Sequence, residues 1–337
     1  MKHRRHFSWF ITVILALGCL AAETPVAPES GNPNEVRPTG VPAHRSKSKA
    51  SAKANDDESA GATATPRRAR RATRHRESED DSIPTQTVPG SIPRTGAVSA
   101  IVINAISGQV IYEKNPDAIR APASTTKLLT GLIVAESGNL DRPVTVAQVD
   151  TLAEPVKLNI KPGDMYQRID LLRALLVKSP NDVARCLARD NAGSVEAFAA
   201  KMNQRAFALG VRNSHWVNPN GLPDARQYST ARDLATIARV AYANPTIRSI
   251  VCLPQLMFRY ANGRTRELEN TNKLLKRLPY CNGMKTGYTE AAGKCLIASG
   301  TAGGKDVIVV VLGDSHSGVW RDAGALLAWA LFNPSTG

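Results

Sequence analysis

The feature that most constrains this chain is a long segment, residues 23–94, with almost no large apolar side chains. It is rich in Pro, Ser, Ala, Thr, Arg and Lys instead. Such a segment cannot bury enough apolar surface to offset the conformational entropy that folding removes. We therefore predict a disordered linker there. The folded part is then one domain over residues 95–337 of the 337-residue chain, which is long enough for a well-buried core.

The first 22 residues have the pattern of a secretory signal peptide. Lys2, Arg4 and Arg5 form a positive start, and the apolar run of residues 10–22 is too short to span a membrane comfortably. Residues 15–19 loosely fit a lipoprotein signal, so cleavage before Cys19 with lipid on its sulfur stays open beside ordinary cleavage. We expect an exported protein of the periplasm or the extracytoplasmic cell envelope, with lipidated Cys19 or an uncleaved signal as a possible membrane anchor.

The net charge of +14 arises partly from a basic tract in the linker. Basic tracts bind nucleic acid, anionic lipid or acidic polymers, but export argues against nucleic acid. Four acidic residues follow directly, so we interpret the tract as a soluble tether rather than a specific binding site. The charged residues are Arg67, Arg68, Arg70, Arg71, Arg74, Arg76, Glu77, Glu79, Asp80 and Asp81.

The pattern of the domain predicts strands at both ends with helices between them. Alternating small and β-branched residues predict strands over residues 97–104 and 109–113, joined at Ser107–Gly108. A helix over 124–135 and a mostly helical region over 166–244 follow, and strands return after Pro254, at 283–288, 294–301 and 306–313. An amphipathic helix over 319–332 ends the chain. The fold class is therefore α/β in the broad sense (α+β), one sheet with a helical insertion.

Ser124 and Lys127 are three residues apart at the start of the first predicted helix, so they share one helix face. A serine hydroxyl is a weak nucleophile unless a base takes its proton, and a buried lysine of lowered pKa can be that base. The pattern alone is also typical of a helix cap with a solvated lysine. It occurs a second time at Ser46–Lys49 in the linker, where no helix or partner is expected.

Two further motifs lie downstream within the domain. Ser179 and Asn181 flank Pro180 in the break between two helices, where a hydroxyl can relay a proton and an amide offers both a donor and an acceptor. The second of these two motifs, Lys285-Thr286-Gly287, is predicted to be a strand. Its cation and hydroxyl can hold a carboxylate, and Gly287 leaves room for an extended substrate. Taken alone, the motif at Ser179 is also typical of a helix cap, and the motif at Lys285 is also typical of an edge strand.

The three motifs in this order are the signature of penicillin-binding proteins and class A β-lactamases. From about residue 97 to 332 the chain resembles the low-molecular-mass penicillin-binding proteins, the D-alanyl-D-alanine carboxypeptidase family. The resemblance extends beyond the motifs to "GQVIYEKNPDAIRAPASTTKLLTG", "LGVRNSHWVNPNGLPDARQYSTARDLATIAR" and "GMKTGYTEAAGKCLIASG". It implies a β-lactamase-like antiparallel sheet flanked by helices, with a mostly helical subdomain.

The resemblance also implies a reaction on the D-Ala-D-Ala end of peptidoglycan stem peptides. In it Ser124 is the nucleophile, Lys127 the general base and Ser179 the proton relay. Asn181 and Lys285 shape the network. The substrate-binding residues are then Lys285, Thr286, Gly287 and Tyr288, with the backbone N–H groups of Ser124 and Tyr288 as the oxyanion hole. β-Lactams are the expected inhibitors, and neither a cofactor nor a metal is implied.

Two departures from the family pattern bear on the reaction. Pro180 stands where many members have glycine, which stiffens the loop. Typical carboxypeptidases of the family add a β-rich domain and a C-terminal amphipathic anchor beyond the catalytic domain, and this sequence ends without them. The second departure raises the alternative of a DD-endopeptidase that cleaves cross-links.

Three other functions stay open from the residues. A class A β-lactamase needs a deacylating glutamate between the second and third motifs, whereas the suggestive stretch at Glu154 precedes Ser179. A Ser-His-Asp hydrolase is suggested by residues 313–316, but only His215 and His316 are available in the domain. The adjacent Ser315 and His316 are poorly placed for a triad. An inactive wall-binding module would keep the groove without the reaction.

Of five cysteines, four lie in the domain: Cys186, Cys252, Cys281 and Cys295. An exported domain can form disulfides, and four cysteines allow three pairings. Cys252 and Cys281 flank a predicted hairpin and are the favoured pair, while the other pairings stay open. No Cys-x-x-Cys or His-rich spacing indicates a metal site.

Overall fold

The structure, a computed structural model, describes residues 90–336. Within them it has nine strands and eight α-helices. The strands are β1 (Ser99–Asn104), β2 (Val110–Lys114), β3 (Pro143–Thr145), β4 (Met165–Gln167), β5 (Gln255–Arg259), β6 (Thr265–Glu269), β7 (Cys281–Thr289), β8 (Gly293–Ala302) and β9 (Lys305–Asp314). The helices are α1 (Lys127–Glu136), α2 (Gln148–Thr151), α3 (Arg168–Lys178), α4 (Asn181–Ala192), α5 (Val195–Ala208), α6 (Ala231–Ala243), α7 (Pro245–Val251) and α8 (Gly318–Phe332).

Five of the strands form one antiparallel sheet in the order β2-β1-β9-β8-β7. Strand β9 lies at its centre, and its run of Val and Ile from Val307 to Leu312 is buried on both sides of the sheet. Strands from the two ends of the domain are thus neighbours. The prediction of one α+β sheet built from both ends, with a helical insertion, is confirmed.

Two apolar clusters cover the two faces of this sheet. Helix α8 packs on one face, where Leu326 and Leu327 join Leu296 and Val309 of the sheet. The insertion, mainly α1 and α3 to α7, packs on the other face in a larger cluster that includes Ile297 and Val310. Neighbouring residues of one strand point to opposite faces, so Leu296 and Ile297 belong to different clusters.

Helix α8 differs from the predicted amphipathic helix. Of its residues, Arg321 and Phe332 are exposed and all the others are buried. Even its one acidic residue, Asp322, is buried and accepts hydrogen bonds from Thr95 Oγ1 at 2.8 Å and the Gly96 amide at 2.5 Å. The chain entering the domain thereby supplies the polar partners that let a nearly uniform apolar helix carry a carboxylate.

The break between α3 and α4 forms where the sequence predicts it. Ser179 ends α3 in the left-handed conformation, with φ 66°, and Pro180 adopts an extended conformation before α4 begins at Asn181. Proline disfavours the α conformation in the residue before it, so the helix cannot continue through Ser179. Consequently the serine and the asparagine of this motif sit at a fixed corner.

The sequence analysis does not predict the hairpins β3–β4 and β5–β6 or the short helix α2 as separate elements. The pair β3–β4 includes Tyr166, where a helical region was predicted to begin, and β5–β6 falls in the region where strands were predicted to return. Tyr166 is buried against Phe258 of β5, with ring centroids 5.4 Å apart. Long-range aromatic packing of this kind overrides the local helical pattern.

The predicted disulfide between Cys252 and Cys281 is wrong. All four cysteines of the domain are free thiols in the structure. Cys252 caps the end of α7 and is exposed, whereas Cys281 is buried at the start of β7 with its Sγ 3.4 Å from the Gly283 carbonyl. Burial also raises the pKa of the Cys281 thiol to about 11.

Several predictions lie outside the described residues. These are the signal peptide over 1–22, lipidation of Cys19, the basic tract, and all but the last residues of the linker over 23–94. Among residues 90–336, no helix combines the length and apolar character needed to cross a membrane.

Candidate active site

The three sequence motifs converge on one groove of about 490 Å³ beside strand β7. Its lining includes Ser124, Ser179, Asn181, Thr286 and Tyr288, with Gly287 between the last two. The two remaining predicted residues, Lys127 and Lys285, are buried beneath the groove at 0% and 1% exposure. All eight predicted site residues therefore belong to one region.

Ser124 lies in a 3₁₀ turn, Ala123–Thr126, that leads directly into α1. The predicted helix start at Ser124 is thus one turn early for the α-helix itself. Ala123 adopts φ 47°, a strained value for a residue other than glycine, and Pro122 precedes it. The sharp turn presents Ser124 to the groove while Thr125 and Thr126 stay buried.

Lys127 Nζ has three close oxygen neighbours. It lies 2.8 Å from Ser124 Oγ, 2.8 Å from Asn181 Oδ1 and 2.7 Å from the Asn220 carbonyl oxygen. The carbonyl and amide oxygens can only accept. A neutral amine would donate its two hydrogens to them, which leaves its lone pair directed at the Ser124 hydroxyl.

The amide of Asn181 is oriented by its own nitrogen. Nδ2 donates to the carbonyl oxygens of Glu154 and Pro155 at 3.0 and 2.9 Å. Those two acceptors leave Oδ1 facing Lys127, so the orientation follows from the hydrogen bonds on both sides. Asn181 thereby fixes one of the two N–H directions of the lysine.

Electrostatics favour the neutral amine at Lys127. Burial, and then the nearby charge of Lys285, hold the pKa of Lys127 well below its usual range. Burial alone lowers the pKa of Lys285 to about 7. Among residues 90–336 no carboxylate forms an ion pair with either lysine. Removing an ammonium from water without an opposite charge is what drives both shifts.

Ser179 Oγ is buried and has no hydrogen-bond partner among residues 90–336. Its residue also has the left-handed backbone conformation, which costs a non-glycine residue about 1–2 kcal/mol. Both the unpaired hydroxyl and the strained backbone destabilise the fold, and both lie at the groove. This combination indicates that the Ser179 hydroxyl forms its hydrogen bond with a molecule that binds in the groove.

Strand β7 forms the opposite wall. Lys285 Nζ donates to the Thr286 carbonyl at 2.9 Å, and Thr286 Oγ1 donates to Thr271 Oγ1 at 2.7 Å. The Cβ that Gly287 lacks would lie 3.0 Å from both the Ser124 and Thr125 amide nitrogens. The glycine therefore makes room first for the Ser124 turn, a closer constraint than the predicted room for substrate.

Tyr288 is half-exposed at the end of this wall. His316 meets its ring edge-on with centroids 5.0 Å apart, and Lys294 Nζ lies 4.4 Å from the ring centroid. Its predicted part in an oxyanion hole involves the backbone N–H rather than this side chain, and that part stays a prediction.

The loop that contains Asn220 was not singled out as part of the site. Beyond its contact with Lys127, Asn220 donates from Nδ2 to the Asn181 carbonyl at 2.7 Å. At Gly221, with φ 80°, a Cβ would lie 1.7 Å from the Ala123 carbonyl oxygen, so no other residue fits. The Asn-Pro-Asn-Gly run is a turn signal, but its position beside Ser124 depends on tertiary contacts.

The alternative hydrolase triad does not form. Asp314 Oδ1 accepts from the Ser315 amide, and Ser315 Oγ accepts from the Gly318 amide, as in an ordinary start of a helix. His316 contacts the Tyr288 ring instead. Among residues 90–336, no three His, Cys, Asp or Glu side chains are grouped as metal ligands.

The carboxylate that a class A β-lactamase requires is also missing from the described wall of the groove. None of the described residues that line it is an aspartate or a glutamate. Glu154 contributes its backbone carbonyl to Asn181 rather than its side chain.

Comparisons with known proteins agree with this geometry. Residues 86–316 match the family model described as D-alanyl-D-alanine carboxypeptidase. D-alanyl-D-alanine carboxypeptidase DacB2 of Mycobacterium tuberculosis is 35% identical over 264 residues, 76% of this chain and 89% of the relative. A D-alanyl-D-alanine endopeptidase of Escherichia coli is 32% identical over 227 residues, 66% of this chain and 73% of the relative.

Solved structures show the same fold. The crystal structure of a D-alanyl-D-alanine carboxypeptidase from Mycobacterium tuberculosis has a TM-score of 0.69 and 35% identity, covering 74% of this chain and 98% of that one. The family resemblance predicted from the motifs is confirmed. The chain belongs to the D-alanyl-D-alanine carboxypeptidase family of serine peptidases, enzymes that act on peptidoglycan peptides and bind β-lactams.

Proposed function

We propose that Ser124 is the residue through which this enzyme removes the terminal D-alanine from stem peptides. Its Oγ attacks the carbonyl carbon between the two D-alanines and forms an ester with the shortened peptide. Water then hydrolyses the ester and frees the enzyme. The single observation that carries this assignment is the position of Lys127 Nζ, 2.8 Å from Ser124 Oγ with both other neighbours being acceptors.

Lys127 is the general base of the first step. As a neutral amine it accepts the hydroxyl proton of Ser124 while the new C–O bond forms. Asn181 and Asn220 hold the amine in place throughout, because both oxygens can accept from the ammonium as well. The nearby charge on Lys285 favours return of the proton.

Ser179 passes this proton to the leaving amine. Its unpaired, buried Oγ lines the same groove and can accept one proton while donating another. The bond between the carbonyl carbon and the D-alanine nitrogen breaks as that nitrogen gains its proton. The backbone N–H groups of Ser124 and Tyr288 stabilise the oxyanion, a contribution that usually dominates in such reactions.

The terminal carboxylate of the substrate binds at Thr286. Thr286 lines the groove, and the buried Lys285 Nζ lies 2.9 Å from the Thr286 carbonyl oxygen. A hydroxyl and a buried positive charge together favour a carboxylate over a neutral end group. β-Lactams would enter the same site and acylate Ser124 as inhibitors.

The test is an intact-protein mass measurement with penicillin, joined to an assay of free D-alanine from a pentapeptide that ends in D-Ala-D-Ala. The wild-type chain should gain the mass of one penicillin and release D-alanine. Ser124→Ala should do neither, whereas Ser249→Ala, an exposed serine on α7, should behave as wild type. An adduct that persists in Ser124→Ala would overturn the assignment.

Cleavage of cross-links is a second candidate function. It is favoured by the similarity to relatives named D-alanyl-D-alanine endopeptidase in Escherichia coli and Pseudomonas aeruginosa. Digestion of purified cross-linked muropeptides distinguishes the two reactions. Free D-alanine without loss of cross-links would exclude the endopeptidase, and loss of cross-links would establish it.

Turnover of β-lactams should be slow. A deacylating carboxylate is what makes a class A β-lactamase fast, and no acidic residue is among the described residues of the groove. A chromogenic cephalosporin should therefore give a stoichiometric burst followed by little further colour. Rapid continuous turnover would contradict the peptidase assignment.

We also propose that the enzyme is exported and acts in the cell wall, in the periplasm or an equivalent compartment, where trimming of stem peptides affects cell shape. The apolar start of the chain and the linker of residues 23–94 support export and a tether. Fractionation of cells that express the full chain and a Cys19→Ala variant tests both points. Release from the membrane only in the variant would indicate a lipid anchor.

A further inference from the structure

Segment 154–160 lies beside the groove and contains no helix or strand. Its residues Pro155 and Val156 line the groove. Backbone N–H groups outside regular structure still need acceptors when they are buried. In this segment the N–H groups of residues 158–160 all donate to a single side chain, that of Asp182.

Asp182 is buried, at 1% exposure, in the first turn of α4. Its Oδ1 accepts from the Leu158 amide at 3.0 Å and from the Val183 amide at 3.0 Å. Its Oδ2 accepts from the amides of Asn159 and Ile160 at 2.7 and 3.3 Å. Hydrogen bonds to a charged acceptor are stronger than those between neutral groups. One carboxylate therefore fixes an irregular segment against the start of a helix.

The fixed segment in turn orients the neighbouring side chain, Asn181. Nδ2 of Asn181 donates to the carbonyl oxygens of Glu154 and Pro155 at 3.0 and 2.9 Å. The backbone N–H of Asn181 donates to the Val156 carbonyl at 2.8 Å. These contacts leave Oδ1 facing Lys127 Nζ. If the segment moved, Nδ2 would lose both acceptors, and the amide could rotate to present a donor to the lysine.

Asp182 affects the base through geometry rather than through its charge. Burial and the charge of Lys285 lower the pKa of Lys127, and Asp182 is not among the causes. An N–H group turned toward the neutral amine would bind its lone pair, which has to point at the Ser124 hydroxyl to take the proton. The orientation of the Asn181 amide therefore decides whether the lysine can act as a base.

We propose that the buried carboxylate of Asp182 is a positioning group for the reaction and acts through the Asn181 amide. The inference rests on the proposed function, in which Lys127 is the base that activates Ser124. Asp182 is not among the described residues that line the groove. Its loss should therefore slow the acylation of Ser124 by a bound ligand and leave the affinity for that ligand nearly unchanged.

The experiment uses the full chain and compares wild type with Asp182→Asn. Asparagine keeps the size of the side chain, but only one of its two polar atoms accepts, and its amide nitrogen would face N–H groups. Stopped-flow acylation by a fluorescent penicillin measures Kd and the acylation rate constant separately. We expect the rate constant to fall by about 10–100-fold and Kd to stay within about 2-fold of wild type.

A double-mutant cycle with Asn181→Ala tests whether the effect passes through the amide. In the Asn181→Ala background no amide is left to orient, so Asp182→Asn should lower the rate constant by less than about 3-fold more. A purely structural effect would lower the rate constant by the same factor in both backgrounds.

Asp164→Asn is the matched control. Asp164 Oδ2 accepts from the Lys161 amide at 2.9 Å and from the Tyr166 hydroxyl at 2.7 Å. This carboxylate also holds a backbone N–H just beyond segment 154–160, but it has no hydrogen bond with Asn181 among residues 90–336. Its loss should leave the acylation rate constant within about 2-fold of wild type.

Urea unfolding of each variant measures whether the fold is intact. If Asp182→Asn does not fold, Asp182→Ser replaces it in the same cycle, because a serine hydroxyl still accepts from a backbone amide and carries no charge.

Four results would overturn the inference: a rate constant within about 2-fold of wild type in Asp182→Asn, a loss confined to Kd, equal factors in the two backgrounds, or loss of folding in both Asp182 variants, which would assign the residue to stability alone. Absence of D-alanine release by the wild-type chain would contradict the proposed function instead. The acylation rates would still decide the role of Asp182, because they require only attack by Ser124.

Discussion

The buried carboxylate of Asp322 on the α8 side of the sheet and the two buried lysines on its groove side differ in the partners they have. On the α8 side, Asp322 accepts hydrogen bonds from Thr95 and Gly96 and forms an ion pair with Arg321. On the groove side, Lys127 and Lys285 contact only neutral oxygens among residues 90–336, and the pKa of each is lowered.

The difference separates two uses of buried polarity. A charge whose partners are complete stabilises one arrangement and resists change. A charge left without an opposite charge shifts its pKa and becomes able to exchange a proton near neutral pH. Substitutions on one side at a time should therefore change activity and stability separately.

The largest effect is expected for Lys127→Met, which keeps the length of the side chain and removes the base. We expect kcat/KM for D-alanine release to fall by about 10³-fold or more. The free energy of unfolding should change by about 1 kcal/mol or less, because relief of the buried amine offsets the donors lost by Asn181 and Asn220. Steady-state kinetics and urea unfolding measure the two quantities. A large loss of stability with activity retained would reverse the interpretation.

On the α8 side, Leu327→Ala should lower stability and leave activity nearly unchanged. Leu327 is buried, and its methyl groups approach Gly300 of β8 closely. A cavity there should cost about 2–5 kcal/mol of unfolding free energy. D-alanine release well below the melting temperature should stay within about 2-fold of wild type. Leu152→Ala, at an exposed leucine, is the control for the assay of unfolding.

Lys285→Met tests how much the buried cation lowers the free energy of unfolding, and how that effect changes with pH. The pKa of Lys285 is about 7 in the folded chain and lies below its ordinary value of 10.5. Below pH 7 the lysine is protonated in both states and its burial penalty is complete, so the variant should be more stable, by about 1–3 kcal/mol. Between pH 7 and 10.5 the unfolded wild type binds more protons, its stability rises with pH, and the advantage should shrink.

Urea unfolding at a series of pH values measures that advantage, with the exposed Lys161→Met as control. An advantage that grows with pH would have the wrong sign and would show that Lys285 is charged in the folded chain.

The smallest effect on stability is expected for Ser179→Gly. Glycine adopts φ 66° without strain, so the free energy of unfolding should rise by up to about 1 kcal/mol. Hydrolysis should nevertheless slow by about 10–100-fold, because the relay hydroxyl is gone. A variant that is both more stable and fully active would show that Ser179 is only a helix end.

The sequence predicts the motif residues well because each motif coincides with a local structural signal. Pro180 determines where α3 ends, and the turn at Ser124 follows a proline, so both positions can be read from neighbouring residues. Strand β9 is also evident, since its β-branched run from Val307 to Val311 is long.

What the sequence does not reveal depends on contacts between distant segments. Asn220 reaches Lys127 across a long stretch of chain, and nothing in its immediate neighbourhood indicates that contact. The same holds for Cys252 and Cys281, whose positions on either side of a predicted hairpin suggested a disulfide, whereas packing leaves Cys252 exposed and Cys281 buried. The order of the motifs therefore predicts the fold, whereas the geometry of the site depends on contacts between distant segments.

The two glycines beside Ser124 have a consequence for the evolution of drug resistance. A Cβ on Gly221 would lie 1.7 Å from the Ala123 carbonyl oxygen, and a Cβ on Gly287 would lie only 3.0 Å from the amide nitrogens of the turn that carries the nucleophile. Side chains cannot be enlarged there to exclude a β-lactam without displacing the serine that the enzyme itself needs. Substitutions that reduce drug binding while preserving hydrolysis of the peptide are therefore expected at other positions of the groove.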